Sequence, residues 1–213
     1  MDSLGMKPEE IEAGSFRIID AEAGDHGWSD EEWQVVRRVI HTSADFEYTQ
    51  SMILSDDVIE RGIAALTSGC GIVTDTNMAL SGISNVRLAP FGCTVTCHVA
   101  DQDVAELAKN EGITRSIAAM RKAVADPHNR IFVIGNAPTA LFELLRLMES
   151  GIPARPALII ALPVGFVGAE ESKNALASGS HSVPFITNIG RKGGSNVAAA
   201  VVNALAILAG SPR

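Results

Sequence analysis

Cysteine is scarce in this chain: three residues in 213, and an odd number, leave no complete set of pairs for a disulfide framework. Cys93 and Cys97 alternate with Val95 and Val99 as side chains on one face of a strand would, so Cys70, Cys93 and Cys97 read as small core residues rather than metal ligands. Histidine spacing is equally unhelpful to a metal. His26, His98, His128 and His181 form no HxH or HxxxH pattern, and no metal is assigned. There is no Walker A sequence, and Gly69-Cys70-Gly71 lacks a third glycine and precedes its strand, which excludes a dinucleotide fingerprint. Long apolar runs are missing too: the stretches 157–169 and 197–208 are too short for a membrane span and are interrupted by Pro163, Gly165 and Asn203. Residues 1–5 show neither the basic start nor the apolar run of a signal peptide, so a cytoplasmic protein is expected. A basic excess is also absent. The net charge of −8 argues against nucleic acid as a partner.

With 46% hydrophobic residues and no polar low-complexity run, residues 1–213 are expected to form one domain behind an N-terminal tail of about 1–14. Its organising stretch is 131–149. An apolar, β-rich run breaks at Gly135 and Asn136, and an amphipathic helix follows with Pro138 in its first turn, where a backbone N–H has no helical partner anyway. Two more units of this kind follow, with strands at 157–162 and 184–187 and helices from Ala169 and from 196. That rhythm predicts an α/β fold, a mostly parallel sheet flanked by helices. Ligands of such sheets bind at the carboxyl ends of the strands, where the unpaired N–H groups of a following helix can hold an anion. The alternative is an ordinary structural turn.

Earlier in the chain, Gly14-Ser15-Phe16-Arg17-Ile18-Ile19 reads as a small-residue step into a short strand-like segment. Ser29 and Glu32 form a capping box, with Trp28 and Trp33 at the positions of a hydrophobic staple, so a helix starts at residue 30 with Trp33, Val36 and Ile40 as its stripe. Arg38 and His41, three apart, share a face of this helix, and Asp45 joins them if the helix runs one more turn. A histidine between a guanidinium and a carboxylate is a candidate acid near neutral pH; a helix-end histidine interacting with the dipole is the plainer reading. A second helix follows Ser55-Asp56-Asp57, with Val58, Ile59, Ile63 and Leu66 inward. A buried strand from Gly71 then ends in the carboxylate of Asp75, again where side chains reach a crevice. A strand is predicted from Cys93 to Val99, then a short helix from about Asp101 and a longer one over 112–124.

The basic residues are grouped, and a few local cations on an acidic chain suit a small anionic ligand. Arg115 stands in a first helical turn, where a cation opposes the helix dipole and hints at an anion nearby. The loop Gly190-Arg191-Lys192-Gly193-Gly194-Ser195 offers N–H groups and two cations together ahead of a helix. Arg115, Asn136, Lys173 and Arg191 join Arg38 as candidate ligand-binding residues.

Several long motifs in a common order resemble one family. Arg38-Val39-Ile40-His41, the stretch 135–142 (GNAPTALF), the stretch 163–173 (PVGFVGAEESK) and the stretch 190–195 (GRKGGS) are similar to segments of precorrin-8X methylmutases of the cobalamin pathway, and the likeness runs from Ser15 to about Leu205. The resemblance implies an α/β homodimeric isomerase that moves a methyl group between adjacent carbons of ring C of an anionic contracted tetrapyrrole. Precorrin-8X would become hydrogenobyrinate, or cobalt-precorrin-8 cobyrinate, with no external methyl donor and no cofactor of the protein's own. It also implies that His41 donates or accepts the proton and that Ser15 and Arg38 contact the substrate. The stretch Thr42-Ser43-Ala44-Asp45-Phe46 looks more like the branch whose substrate carries cobalt. Taken without the resemblance, the crevice features also suit a corrinoid carrier without turnover, or a phosphosugar- or nucleotide-binding isomerase.

Overall fold

The computed structural model describes residues 7–151, 156–179 and 182–211, so His181 and residues 1–5 lie outside it. Six strands form one sheet in the order β1-β6-β5-β4-β2-β3: β1 (Met52–Leu54), β2 (Gly71–Thr74), β3 (Thr94–Thr96), β4 (Asn129–Ile134), β5 (Leu158–Ala161) and β6 (Phe185–Asn188). All neighbours are parallel except β1, which runs antiparallel along β6. The expected mostly parallel α/β sheet is what forms, and its last three strands are neighbours, as their even spacing in the chain requires.

Strand alternation builds two apolar layers. Ile131 and Val133 of β4, with Ile72, Leu158, Ile160 and Ile186, face α2 (Asp30–Ser43), α4 (Val58–Thr67) and α11 (Ser195–Gly210). Phe132 and Ile134, with Val73, Ile159 and Ala161, face α8 (Arg115–Val124), α9 (Pro138–Glu149) and α10 (Ala169–Ser178). Burial on both faces explains why these strands read as unbroken apolar runs. Each of the larger side chains among them contributes roughly 1.5–3 kcal/mol.

Three expectations need correction. Residues 14–19 are not strand-like: they lie in α1 (Pro8–Ala23), which also takes in residues 8–14 of the expected tail. Glu12, Phe16 and Asp20 of α1 meet α2, where Arg38, Arg37 and Trp33 supply the partners that their polar groups need. The strand at 93–99 is shorter, Thr94–Thr96, and the helices predicted after it are α7 (Gln102–Glu111) and α8. α2 does begin at Asp30 under the Ser29–Glu32 capping box, but it stops at Ser43, with Ala44 in the left-handed region at φ 54°.

α11 is apolar on nearly every face and is buried by its own chain, against α2, α4, the sheet, α5 (Asn77–Gly82) and α6 (Asn85–Leu88). Its first turn crosses the end of β4 so closely that a Cβ on Gly135 would stand 2.7 Å from Ser195 Cα and 2.9 Å from its N. Both neighbours are backbone and cannot step aside. Gly135→Ala should therefore lower unfolding free energy in urea by about 1–3 kcal/mol, and a wild-type midpoint would show that the crossing is looser than described.

Candidate active site

The sheet changes direction between β2 and β4. β2 is followed by α5 on one face and β4 by α9 on the other, so the crevice favoured by ligands in such sheets opens between these two strands. Here it is filled from within. Asp75, at the end of β2, accepts N–H bonds from Gly135 (2.9 Å), Asn136 (2.8 Å) and Ala137 (2.6 Å). Burial pushes its carboxyl above the usual range, and the three N–H donors pull the other way. The backbone groups expected to hold an external anion thus hold an internal one, which removes the basis for a phosphosugar or nucleotide at this turn. Next door, the hydroxyls of Thr76 and Ser195 bond at 2.8 Å and tie α5's start to that of α11.

The loop 190–195 lies across the ends of β5 and β6. Gly194 N–H donates to Leu162 O, and a Cβ on Gly193, whose φ is 157°, would sit 2.2 Å from that same oxygen, so only glycine fits there. Lys173 fixes the loop from beneath. Its side chain is buried, the residue 1% exposed, and its ammonium donates to Asn188 Oδ1 (3.1 Å) and Lys192 O (2.7 Å). Lys173 therefore positions the loop and does not present a charge to a ligand, a correction to its expected role. Arg191 is exposed, its guanidinium 5.7 Å from the ring centroid of Phe166. Phe166 and Val167 are 84% and 89% exposed, and with Val164 and Ile189 they form an apolar lip beside that cation.

On the other side of the loop stands the end of α2. His41 is exposed in its last turn, its ring 5.0 Å from that of Phe16, and its ring nitrogens have no hydrogen-bond partner among the described residues. Arg38 lies over the same Phe16 ring at 5.0 Å and pairs with Glu12 at 3.1 Å. Ser15, beside Phe16 on α1, donates to Ile11 O. Asp45 does not join His41. Because α2 ends early, its carboxylate turns to Lys192 Nζ at 2.5 Å, and Glu47 binds the same ammonium.

The structure thus gathers Arg38 and His41 around Phe16, with Ser15 next to it on α1, and Asn136, Lys173 and Arg191 around the loop. Asn136's exposed side chain stands at the end of β4. Arg115 is set apart on α8, lining a cavity of about 520 Å³ with Gln102, Glu106, Lys109 and Ile113. Thr114 nevertheless reaches Thr139 of α9 at 3.2 Å, which puts Arg115's end of α8 on the same edge of the sheet.

The family model described as precorrin-8X methylmutase matches residues 10–208. The chain belongs to that family. It is 49% identical over 208 residues to the cobalt-precorrin-8 methylmutase of Priestia megaterium, covering 98% of this chain and 91% of that one. It is 46% identical to the cobalt-precorrin-8 methylmutase of Leptospira interrogans, covering 93% and 92%. The solved precorrin-8X methyl mutase of Thermus thermophilus superimposes with a TM-score of 0.84 at 42% identity, covering 93% and 96%.

Two residues that shape the candidate site in this methylmutase-family chain were not anticipated in that role. Asp75 was visible as a carboxylate at a strand end, but nothing local says that it turns sideways into the next turn. Lys192 was visible as half of a basic pair, and its carboxylate partners are nearly 150 residues away.

Burial also makes Lys173 a pH-dependent element, since it pushes the ammonium down to about 8. In the unfolded chain the amine titrates near 10.5. Between these values the unfolded state binds more protons, so Lys173's contribution to stability must rise with pH, by up to about 3 kcal/mol. Both of its hydrogen bonds survive deprotonation, since a neutral amine still donates two. Unfolding free energies of wild type and Lys173→Met measured at pH 8 and 10 should therefore differ by more at pH 10; a constant difference would contradict this assignment.

Proposed function

We propose that this chain is an isomerase of cobalamin biosynthesis that moves a methyl group between adjacent ring C carbons of a contracted tetrapyrrole, with His41 as the proton donor. The observation that carries the reading is an exposed histidine with no hydrogen-bond partner among the described residues, its ring against that of Phe16 beside Arg38, in a chain matched to one family along nearly its whole length. The bond to one ring carbon breaks as the bond to its neighbour forms, so no methyl donor and no cofactor is required. Protonating or hydrogen-bonding the ring C nitrogen draws electron density toward it and favours the rearranged chromophore. An exposed apolar lip, Val164, Phe166 and Val167, suits the flat face of a macrocycle. Exposed Arg115, Arg191 and Asn136, with Arg38 and Ser15 near His41, suit its carboxylates.

We further read the substrate as the cobalt-containing form, because the relatives at 46% and 49% identity bear that name. Cobalt then arrives inside the substrate. The protein is proposed to act in the cytoplasm, and none of its described helices is long and apolar enough to cross a membrane. A homodimer is also proposed. α11, buried within one chain, lends it no support; exposed Ile11 and Ile18 on α1 do. Sedimentation showing one species at 22.4 kDa would end that proposal.

His41→Ala should slow single-turnover conversion of the chromophore by about 10²–10⁴-fold while tetrapyrrole binding stays within a few-fold of wild type. Conversion by the wild type far beyond the amount of protein separates an enzyme from a carrier. A wild-type rate in His41→Ala would remove the histidine from the chemistry.

A further inference from the structure

The loop 190–195 and the end of the His41 helix are joined by a chain of contacts that begins in the protein interior. Lys173 Nζ and Asn188 Nδ2 both donate to Lys192 O, at 2.7 and 3.0 Å, so the backbone of Lys192 is held by two buried groups. On the following residues, Gly193 packs onto Leu162 O and Gly194 N–H donates to it. From this fixed base the Lys192 side chain reaches out to Asp45 and Glu47, the turn that leaves α2 four residues after His41. That turn has its own internal order. Ser43 Oγ accepts from Asp45 N–H and Asp45 Oδ1 accepts from Glu47 N–H, so the two carboxylates are presented together.

We propose that Lys192 is a positioning residue for His41: its ammonium clamps Asp45 and Glu47 so that the end of α2 is set against the loop 190–195. The inference rests on His41 being the proton donor. Lys192 belongs to the most conspicuous basic motif of the chain, yet its charge is already spent on two carboxylates, which also hold its ammonium above its ordinary pKa. It is therefore not offered to the substrate. A proton donor displaced by about 1 Å can lose some 10²-fold in rate, so a clamp next to its helix end acts on turnover without touching the substrate.

The test uses Lys192→Met and, separately, Asp45→Asn combined with Glu47→Gln, which cuts the same clamp without removing a cation. The single-turnover rate should fall about 10–100-fold in both, with the tetrapyrrole dissociation constant unchanged within about twofold. Lys192→Arg should recover most of the rate. In a His41→Ala background, Lys192→Met should cost nothing further, because its effect runs through the histidine. Weaker substrate binding at an unchanged rate would overturn the proposal and make Lys192 a substrate ligand; an unchanged rate with unchanged binding overturns it as well.

A second readout needs no activity. His41's ring lies against Phe16, so its Cε1 proton should feel the aromatic ring current, and cutting the clamp should move its NMR shift toward that of a free histidine. If wild type shows no conversion at all, the methylmutase reading fails while this shift still decides whether the clamp places the ring. A shift that does not move in either clamp variant overturns the positioning role.

Discussion

One buried carboxylate shared among three consecutive backbone N–H groups is the constraint on which this structure turns. Asp75 reaches from β2 to the turn after β4, the two strands between which the chain reverses its direction across the sheet. Charged hydrogen bonds of this kind are about twice as strong as neutral ones, and they satisfy donors that would otherwise open onto the crevice. The turn they hold is also the turn that α11 crosses at Gly135 and Ser195, so the same carboxylate sets where the loop 190–195 can lie. The consequence for function is direct. With the backbone donors of this turn used internally, an anionic ligand there would have to be met by side chains.

The distribution of cations follows from this. The chain carries an excess of acid, and several basic residues near the sheet edge have internal duties. Lys173 supports the loop, Lys192 spans to Asp45 and Glu47, and Arg38 shares its charge with Glu12. Arg115 and Arg191 have no ion pair among the described residues and remain exposed, and they lie on different parts of the edge. Separated cations of this kind match a ligand whose carboxylates are dispersed around a macrocycle better than one whose charge is concentrated in a phosphate.

Much of the fold was legible because its signals are local. The Ser29–Glu32 capping box marked the start of α2, and three apolar runs broken by glycine or proline and followed by helices marked β4, β5 and β6 as strands of a mostly parallel sheet. α1 was misread because only part of its periodic stripe is apolar. Glu12 and Asp20 occupy the face toward α2, and their partners on that helix are invisible in the local pattern. β1 escaped for a similar reason, being three residues long and defined by its antiparallel pairing to β6. In the candidate site, the pairing of Arg38 with His41 on one face was legible from spacing. The burial of Lys173 and the sideways turn of Asp75 were not, because each depends on a partner from a distant strand or loop.

The missing turn of α2 changes how the proposed proton donor should be understood. Had the helix continued, Asp45 would have stood beside His41 on the same face. Instead Ala44 ends the helix in the left-handed region, Asp45 goes to Lys192, and Arg38 goes to Glu12. Both side chains that could have engaged the histidine from within the chain are thereby engaged elsewhere, and its exposed ring, lying against Phe16, has no hydrogen-bond partner among the described residues. A donor arranged in this way takes its electrostatic surroundings from whatever covers it. When a carboxylate-rich macrocycle excludes water there, the local dielectric falls and every charge interaction strengthens, so the substrate itself would complete the environment in which the proton is held or released.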